Sequence, residues 1–190
     1  NEADGGTSDL ARIVSRQSEA MKKQVDHHLR RARAAVRGHA IGVSTPVAET
    51  LEPFARTLPR IYRDKDIAFD LLVDEGLTFR GEKRDLEEMA GNLLDNACKW
   101  TASKVCVTAK FAADDDTMLE ICVMDDGPGM PQENYAKALK RGERLDEATP
   151  GTGFGLAIVD DLARAYKGSL TLGRADIGGL SVTLRLPARV

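Results

Sequence analysis

The sequence predicts an α+β fold, a two-layer α/β sandwich with one mixed sheet and helices on one face. Three observations point there. Helical and strand patterns follow one another in mixed order. Two strand pairs stand next to each other in the chain, "KVCVTAKF" (104–111) with "MLEICVM" (118–124) and "SLTLG" (169–173) with "LSVTLRL" (180–186), as antiparallel hairpins do. Two long amphipathic patterns, 82–99 and 154–167, each carry one apolar face that needs a sheet or helix to cover it.

In chain order, residues 1–8 are polar and read as a disordered leader. From Asp9 to Val36 no Gly or Pro interrupts the chain, and Val14, Ser18, Met21, Val25, His28, Ala32 and Ala35 follow a heptad seam. A helix over 9–37 cannot bury that stripe alone, which favours pairing with a second copy over packing on its own domain. Gly38 and Gly42 mark 38–45 as a linker, after which 46–190 forms the main domain. Thr45 and Pro46 suit a helix cap and first helical residue. Val47, Leu51, Phe54, Leu58 and Ile61 continue at helical spacing, although Pro53 and Pro59 lie inside and predict a bend. "DIAFDLLV" (66–73) alternates as a strand, and 77–80 reads as a short second one. The helix 82–99 has Leu86, Met89, Ala90, Leu93, Leu94 and Ala97 as its core face. "AADDDT" is a hairpin loop, 132–140 a short helix, and 141–153 a polar Gly/Pro-rich loop. The last helix is closed by Gly168.

Composition narrows the function classes. At 42% hydrophobic and 30% charged residues the chain is of ordinary globular type. A net charge of −3 gives no argument for nucleic acid. No apolar run approaches the ~20 residues of a membrane-spanning helix. Cys98, Cys106 and Cys122 sit in apolar segments and read as reduced core thiols of a cytosolic compartment.

Three motifs carry chemistry. In "GNLLDNACKW" (91–100), Asn92, Asn96 and Lys99 share one helix face. Amide oxygens are hard ligands suited to Mg²⁺, and a lysine supplies a point charge for phosphate. Taken alone, a solvated surface face explains the stripe as well. "DDGPGM" (125–130) follows a strand directly; Asp125 can accept from an exocyclic amine, and Gly127 and Gly129 admit a flat ligand, though an ordinary turn has the same dipeptides. "GTGFGL" (151–156) opens a helix, where free N–H groups and the helix dipole favour a phosphate chain. It is no Walker A loop, because no Gly-Lys-Ser/Thr follows.

Taken in order with the Gly178-Gly179 pair before the final strand, these motifs resemble the N, G1, G2 and G3 boxes of sensor histidine kinases of two-component systems. The resemblance extends to the PhoQ group of magnesium and peptide sensors. It implies the Bergerat ATP-binding fold shared with gyrase B, the heat-shock protein 90 class and MutL, preceded here by the second dimerisation helix. By position, the resemblance implies that Asn92 and Asn96 hold Mg²⁺ and, through it, ATP, and that Lys99 contacts the phosphates. Trp100 stands where the family has Tyr or His near adenine. Asp125 would take the adenine amine, with Gly127, Gly129 and Met130 lining the base pocket. Gly151, Thr152, Gly153, Phe154, Gly155 and Leu156 would face the phosphates, and Arg141 or Arg144 would steady the γ-phosphate from a lid over 130–153. "NYAKALKRGE" stands where a Phe-rich lid anchor is expected.

Related ATPases carry a Glu four residues before the Mg²⁺-binding Asn; here that place is Asn92, and an amide cannot act as the general base for water. Transfer is therefore expected over hydrolysis. The resemblance further implies a response regulator as partner, a homodimer through the N-terminal helix, and a cytoplasmic portion of a membrane-anchored sensor. The family's acceptor pattern, His, an acid, then Thr/Asn-Pro, is matched by none of His27, His28 and His39. The acceptor is expected upstream of residue 1. A related ATPase or serine kinase, or a non-enzymatic pseudokinase scaffold, are the alternative readings.

Overall fold

The computed structural model describes residues 43–140 and 155–189. The expected leader, the helix 9–37 with all three histidines, most of the linker and the loop 141–153 lie outside the described residues.

Strand β1 (Thr45–Pro46) leads into helix α1 (Val47–Ile61). Thr45 does not cap this helix. Its backbone is extended and pairs with Phe79, and its hydroxyl donates to the Gly81 carbonyl at 2.8 Å, so Pro46 takes the cap position without a side-chain bond. Pro53 and Pro59 both remain inside the helix. A single 3₁₀ turn (Arg63–Lys65) and a left-handed Asp66 (φ 48°) turn the chain into β2 (Ala68–Val73). Strand β3 (Thr78–Phe79) pairs antiparallel with β1 in a separate two-stranded sheet.

Helix α2 (Lys83–Trp100) precedes β4 (Lys104–Ala112) and β5 (Asp115–Asp125). The hairpin turn is shorter than "AADDDT" predicts: the second strand starts at Asp115, whose carboxylate accepts from the Thr117 N–H and hydroxyl. A 3₁₀ turn (Gln132–Asn134) and helix α3 (Tyr135–Ala138) occupy the expected short helix. Helix α4 (Gly155–Ala165), β6 (Ser169–Arg174) and β7 (Leu180–Pro187) complete the described elements.

The main sheet has the order β2-β4-β5-β7-β6, with β2–β4 parallel and the other pairs antiparallel. A parallel pair needs a long crossover, and α2 lies on it. Val105, Val107 and Ala109 of β4, Leu119, Ile121 and Val123 of β5, and Val182, Leu184 and Leu186 of β7 are buried in one core. The opposite core wall comes from α2, whose Leu86, Met89, Ala90, Leu93, Leu94 and Ala97 are buried as the spacing predicts, and from Val159 and Leu162 of α4.

Two further expectations are corrected. Of the three cysteines only Cys98 is a core thiol; burial pushes it up to about 12. Cys106 and Cys122 alternate with the buried residues and sit half-buried on the other face of the sheet. At the end of α4 the left-handed residue is Lys167 (φ 61°), not Gly168. The Gly168 N–H bonds back to Ala163 at 2.8 Å and the Lys167 N–H to Arg164 at 3.0 Å, the paired bonds of a Schellman closure. Gly168 is required for another reason: a Cβ there would lie 2.0 Å from the Arg185 carbonyl.

Tyr166, just after α4, locks this helix to α2. Its hydroxyl donates to the buried Asp85 carboxylate at 2.5 Å, and its ring meets Phe79 edge-on at a centroid distance of 4.9 Å. Burial and the Asp85 bond both hold the phenol far above its ordinary range. Replacing Tyr166 by Phe keeps the ring contact and strands a buried carboxylate, so chemical denaturation of Tyr166→Phe is expected to show a loss of about 1–3 kcal/mol.

Candidate functional site

The polar face of α2 forms one wall. The Asn92 Nδ2 group donates to the Glu88 carbonyl one turn back, at 2.7 Å. That bond fixes the amide and turns its oxygen outward: Asn92 Oδ1 lies 3.3 Å from where a Cβ on Gly155 would stand. Gly155 is the first residue of α4, so the amide oxygen faces a helix N-terminus. Asn96, Lys99 and Trp100 follow along the same helix, half-buried. The Lys99 ammonium sits 5.3 Å from the centroid of the Trp100 ring. From Asn92 to Trp100 the wall rises about 12 Å.

At the far end lies Asp125, 3% exposed at the tip of β5. Its Oδ1 accepts from the N–H groups of Gly127 (2.9 Å) and Leu180 (3.3 Å), and its carbonyl from Gly179 (3.0 Å). Burial pushes this carboxyl above its ordinary value, opposed by the two N–H donors. Among the described residues Oδ2 accepts no protein hydrogen bond, and so remains able to take a ligand's. The glycines here are steric necessities. A Cβ on Gly179 would come within 2.1 Å of Asp125 Oδ1, and one on Gly127 within 2.2 Å of the Trp100 carbonyl. Gly129 (φ 70°) turns the chain back beside Gly179, and Met130 packs against the core.

A residue that motif reading passed over holds the two halves together. Asp126 Oδ1 accepts from the Thr101 hydroxyl and from the N–H groups of Ala102 and Ser103, both at 2.9 Å. Its Oδ2 accepts from the Ser103 hydroxyl at 2.8 Å. Burial alone would raise the carboxyl, but these donors outweigh it and hold it far below the ordinary range. The chain just after Trp100 is thereby tied to the chain just after Asp125. The only trace in the sequence is the doubled aspartate at 125–126.

The structure therefore brings Asn92, Asn96, Lys99, Trp100, Asp125, Gly127, Gly129 and Met130 to one edge of the α/β sandwich, with Gly155 facing Asn92 from the start of α4 and Leu156, the next residue, packed against the core. Arg141, Arg144, Gly151, Thr152, Gly153 and Phe154 lie outside the described residues. The donor set of α2 fits Mg²⁺ shared with a polyphosphate: Asn92 presents a neutral, hard amide oxygen, oriented by its own Nδ2 bond, opposite a helix start.

Residues 81–190 match the model of the histidine kinase-, DNA gyrase B- and HSP90-like ATPase family. The chain belongs to this family. It is similar to the sensor protein kinase CarS of Pseudomonas aeruginosa, at 37% identity over 94% of this chain and 39% of that protein. It is also similar to the sensor protein PhoQ of Escherichia coli K12, at 33% identity over 90% of this chain and 35% of that protein. The chain thus spans less than half the length of these relatives. Among solved structures, the mycobacterial sensor histidine kinase MprB superposes with a TM-score of 0.66 and 28% identity, over 77% of this chain and 97% of that one. The resemblance to the sensor kinases is thereby supported from sequence and from fold, and that to their PhoQ group from sequence.

Two outcomes follow from the cradle. Gly179→Ala must push a methyl into Asp125 and is expected to cost about 1–3 kcal/mol in chemical denaturation. Asp126→Ala is expected to cost a similar amount, about 1–3 kcal/mol, near neutral pH. Because the folded-state value of Asp126 lies below the ordinary 3.8, its stabilisation is complete above 3.8 and fades as pH falls through the lower value. The gap between parent and Asp126→Ala should therefore shrink progressively in melts run at pH values below 3.8.

Proposed function

We propose that the chain binds ATP with Mg²⁺ and is the catalytic portion of a sensor histidine kinase. In the whole protein it would pass the γ-phosphoryl group to a histidine outside this chain, for relay to an aspartate of a response regulator. The family match and the two sensor-kinase relatives support the class. The observation that carries the reading is the pairing of two sites along the C-terminal half of α2: the Asp125 cradle with its open Oδ2 beside the end of the helix, and the Asn92 amide oxygen, mid-helix, facing the start of α4.

The roles divide along that line. Asp125 accepts the adenine N6 amine through Oδ2, while Trp100 and Met130 cover the base and Gly127 and Gly129 let it approach. Asn92 and Asn96 hold Mg²⁺, which neutralises phosphate charge. Lys99 adds a second positive charge, and the N–H groups at Gly155 and Leu156 receive phosphate oxygens. Gly151, Thr152, Gly153 and Phe154 extend that phosphate contact, and Arg141 or Arg144 steadies the γ-phosphate from the lid. Catalysis in such a site is positioning and charge stabilisation. Asn92 has no carboxylate with which to activate water, which favours transfer over hydrolysis. Pairing through the 9–37 helix, and attachment of the whole protein to a membrane, complete the reading.

Calorimetry with ATP–Mg²⁺ tests it. Asn96→Ala and Asp125→Asn are each expected to weaken binding about tenfold or more, some 1.4 kcal/mol. If Asn96→Ala binds ATP–Mg²⁺ as tightly as the parent, the metal role is wrong. Steady release of phosphate by the parent chain would instead favour an ATPase.

A further inference from the structure

Lys65 ends the 3₁₀ turn between α1 and β2, outside the three sequence motifs. Its ammonium donates to the carbonyls of Lys99 (2.5 Å) and Thr101 (3.0 Å). These two carbonyls flank Trp100. They lie at the C-terminal end of α2, where helix carbonyls lack partners and carry partial negative charge, so an ammonium is the fitting donor. The same turn is fastened to α2 a second time, by the Tyr62 hydroxyl on Asp95 at 2.8 Å.

The Trp100 backbone is gripped from the other side too. Its own carbonyl rests against Gly127, where a Cβ would fall 2.2 Å away, and Thr101 is bound to Asp126. Trp100 is therefore clamped between Lys65 and the tip of β5. The charge of Lys65 also acts on Asp125, favouring the carboxylate against burial and against the neighbouring Asp126.

We propose that Lys65 is a positioning residue for recognition of the nucleotide base, holding Trp100 beside the Asp125 cradle in the arrangement that selects adenine. It acts through Trp100 and does not itself touch the nucleotide. The proposal rests on the ATP-binding reading above.

The chain has a single tryptophan, so Trp100 reports on its own setting. The experiment compares the parent, Lys65→Met and Lys65→Arg, each at a temperature well below its melting point. Tryptophan emission is recorded without nucleotide, then ATP–Mg²⁺ and GTP–Mg²⁺ affinities by calorimetry. Lys65→Met is expected to shift the Trp100 emission, to weaken ATP about tenfold, and to lower the preference for ATP over GTP. Lys65→Arg, which keeps charge and donors, should stay close to the parent in all three. A purely structural role would lower the melting point and leave the ATP-to-GTP ratio alone. Should Lys65→Met fail to fold, Lys65→Gln, which keeps a donor without the charge, is read the same way. Unchanged emission and an unchanged ratio in a folded variant overturn the proposal and leave ATP binding standing. A parent chain that binds neither nucleotide overturns the ATP reading and this proposal with it.

Discussion

The site depends on one packing constraint, the closure of three stretches of chain around the buried Asp125 carboxylate. The stretch after β5, the turn before β7 and the end of α2 approach so closely that no side chain fits at Gly127 or Gly179. Backbone N–H groups supply what the carboxylate loses by leaving water, and they engage Oδ1 in preference to Oδ2. A buried acid is thus held ready on one oxygen and open on the other. Loosening any of the three stretches would let water or a methyl into the cradle and remove that asymmetry.

Helix α2 makes the cradle part of a larger device. Its apolar side is a wall of the core, which sets its position to within the tolerance of a packed interior. Its polar side is positioned by the same packing, so the amides and the lysine need no scaffold of their own. Tyr166 and Asp85 join α2 to α4, and Asp126 joins its end to β5. The two ends of the helix are therefore tied to different neighbours, one on the α4 side and one on the sheet.

Much of this was readable in advance, for physical reasons. The period of α2 marks both of its faces, because a stripe of apolar residues at helical spacing leaves the remaining positions no other side to occupy. The hairpins were readable because their partners are adjacent in sequence. The insertion of β7 between β5 and β6 was not, since strand order is decided by contacts between distant segments. Lys65 and Asp126 reach residues 36 and 25 positions away and leave no periodic trace. The cysteines are a different case. Strict alternation in "KVCVTA" places Cys106 opposite Val105 and Val107, so the pattern itself held the answer, and only the reading of the segment as uniformly apolar concealed it.

The cradle also has an order of assembly. Leu180 follows Asp125 by 55 residues, and the β5–β7 ladder that brings them together is among the long-range pairings of the sheet. Contacts of that span form late, because the loop must be closed before any bond rewards it. During synthesis, α2 and the β4–β5 hairpin can emerge and pack while Asp125 still lacks its second donor. A chain growing from the ribosome therefore has the lysine and both amides long before it has a finished Asp125 cradle. The donor geometry around Asp125 is therefore a property of the completed sheet, and a stalled or clipped chain ending short of β7 is left without it.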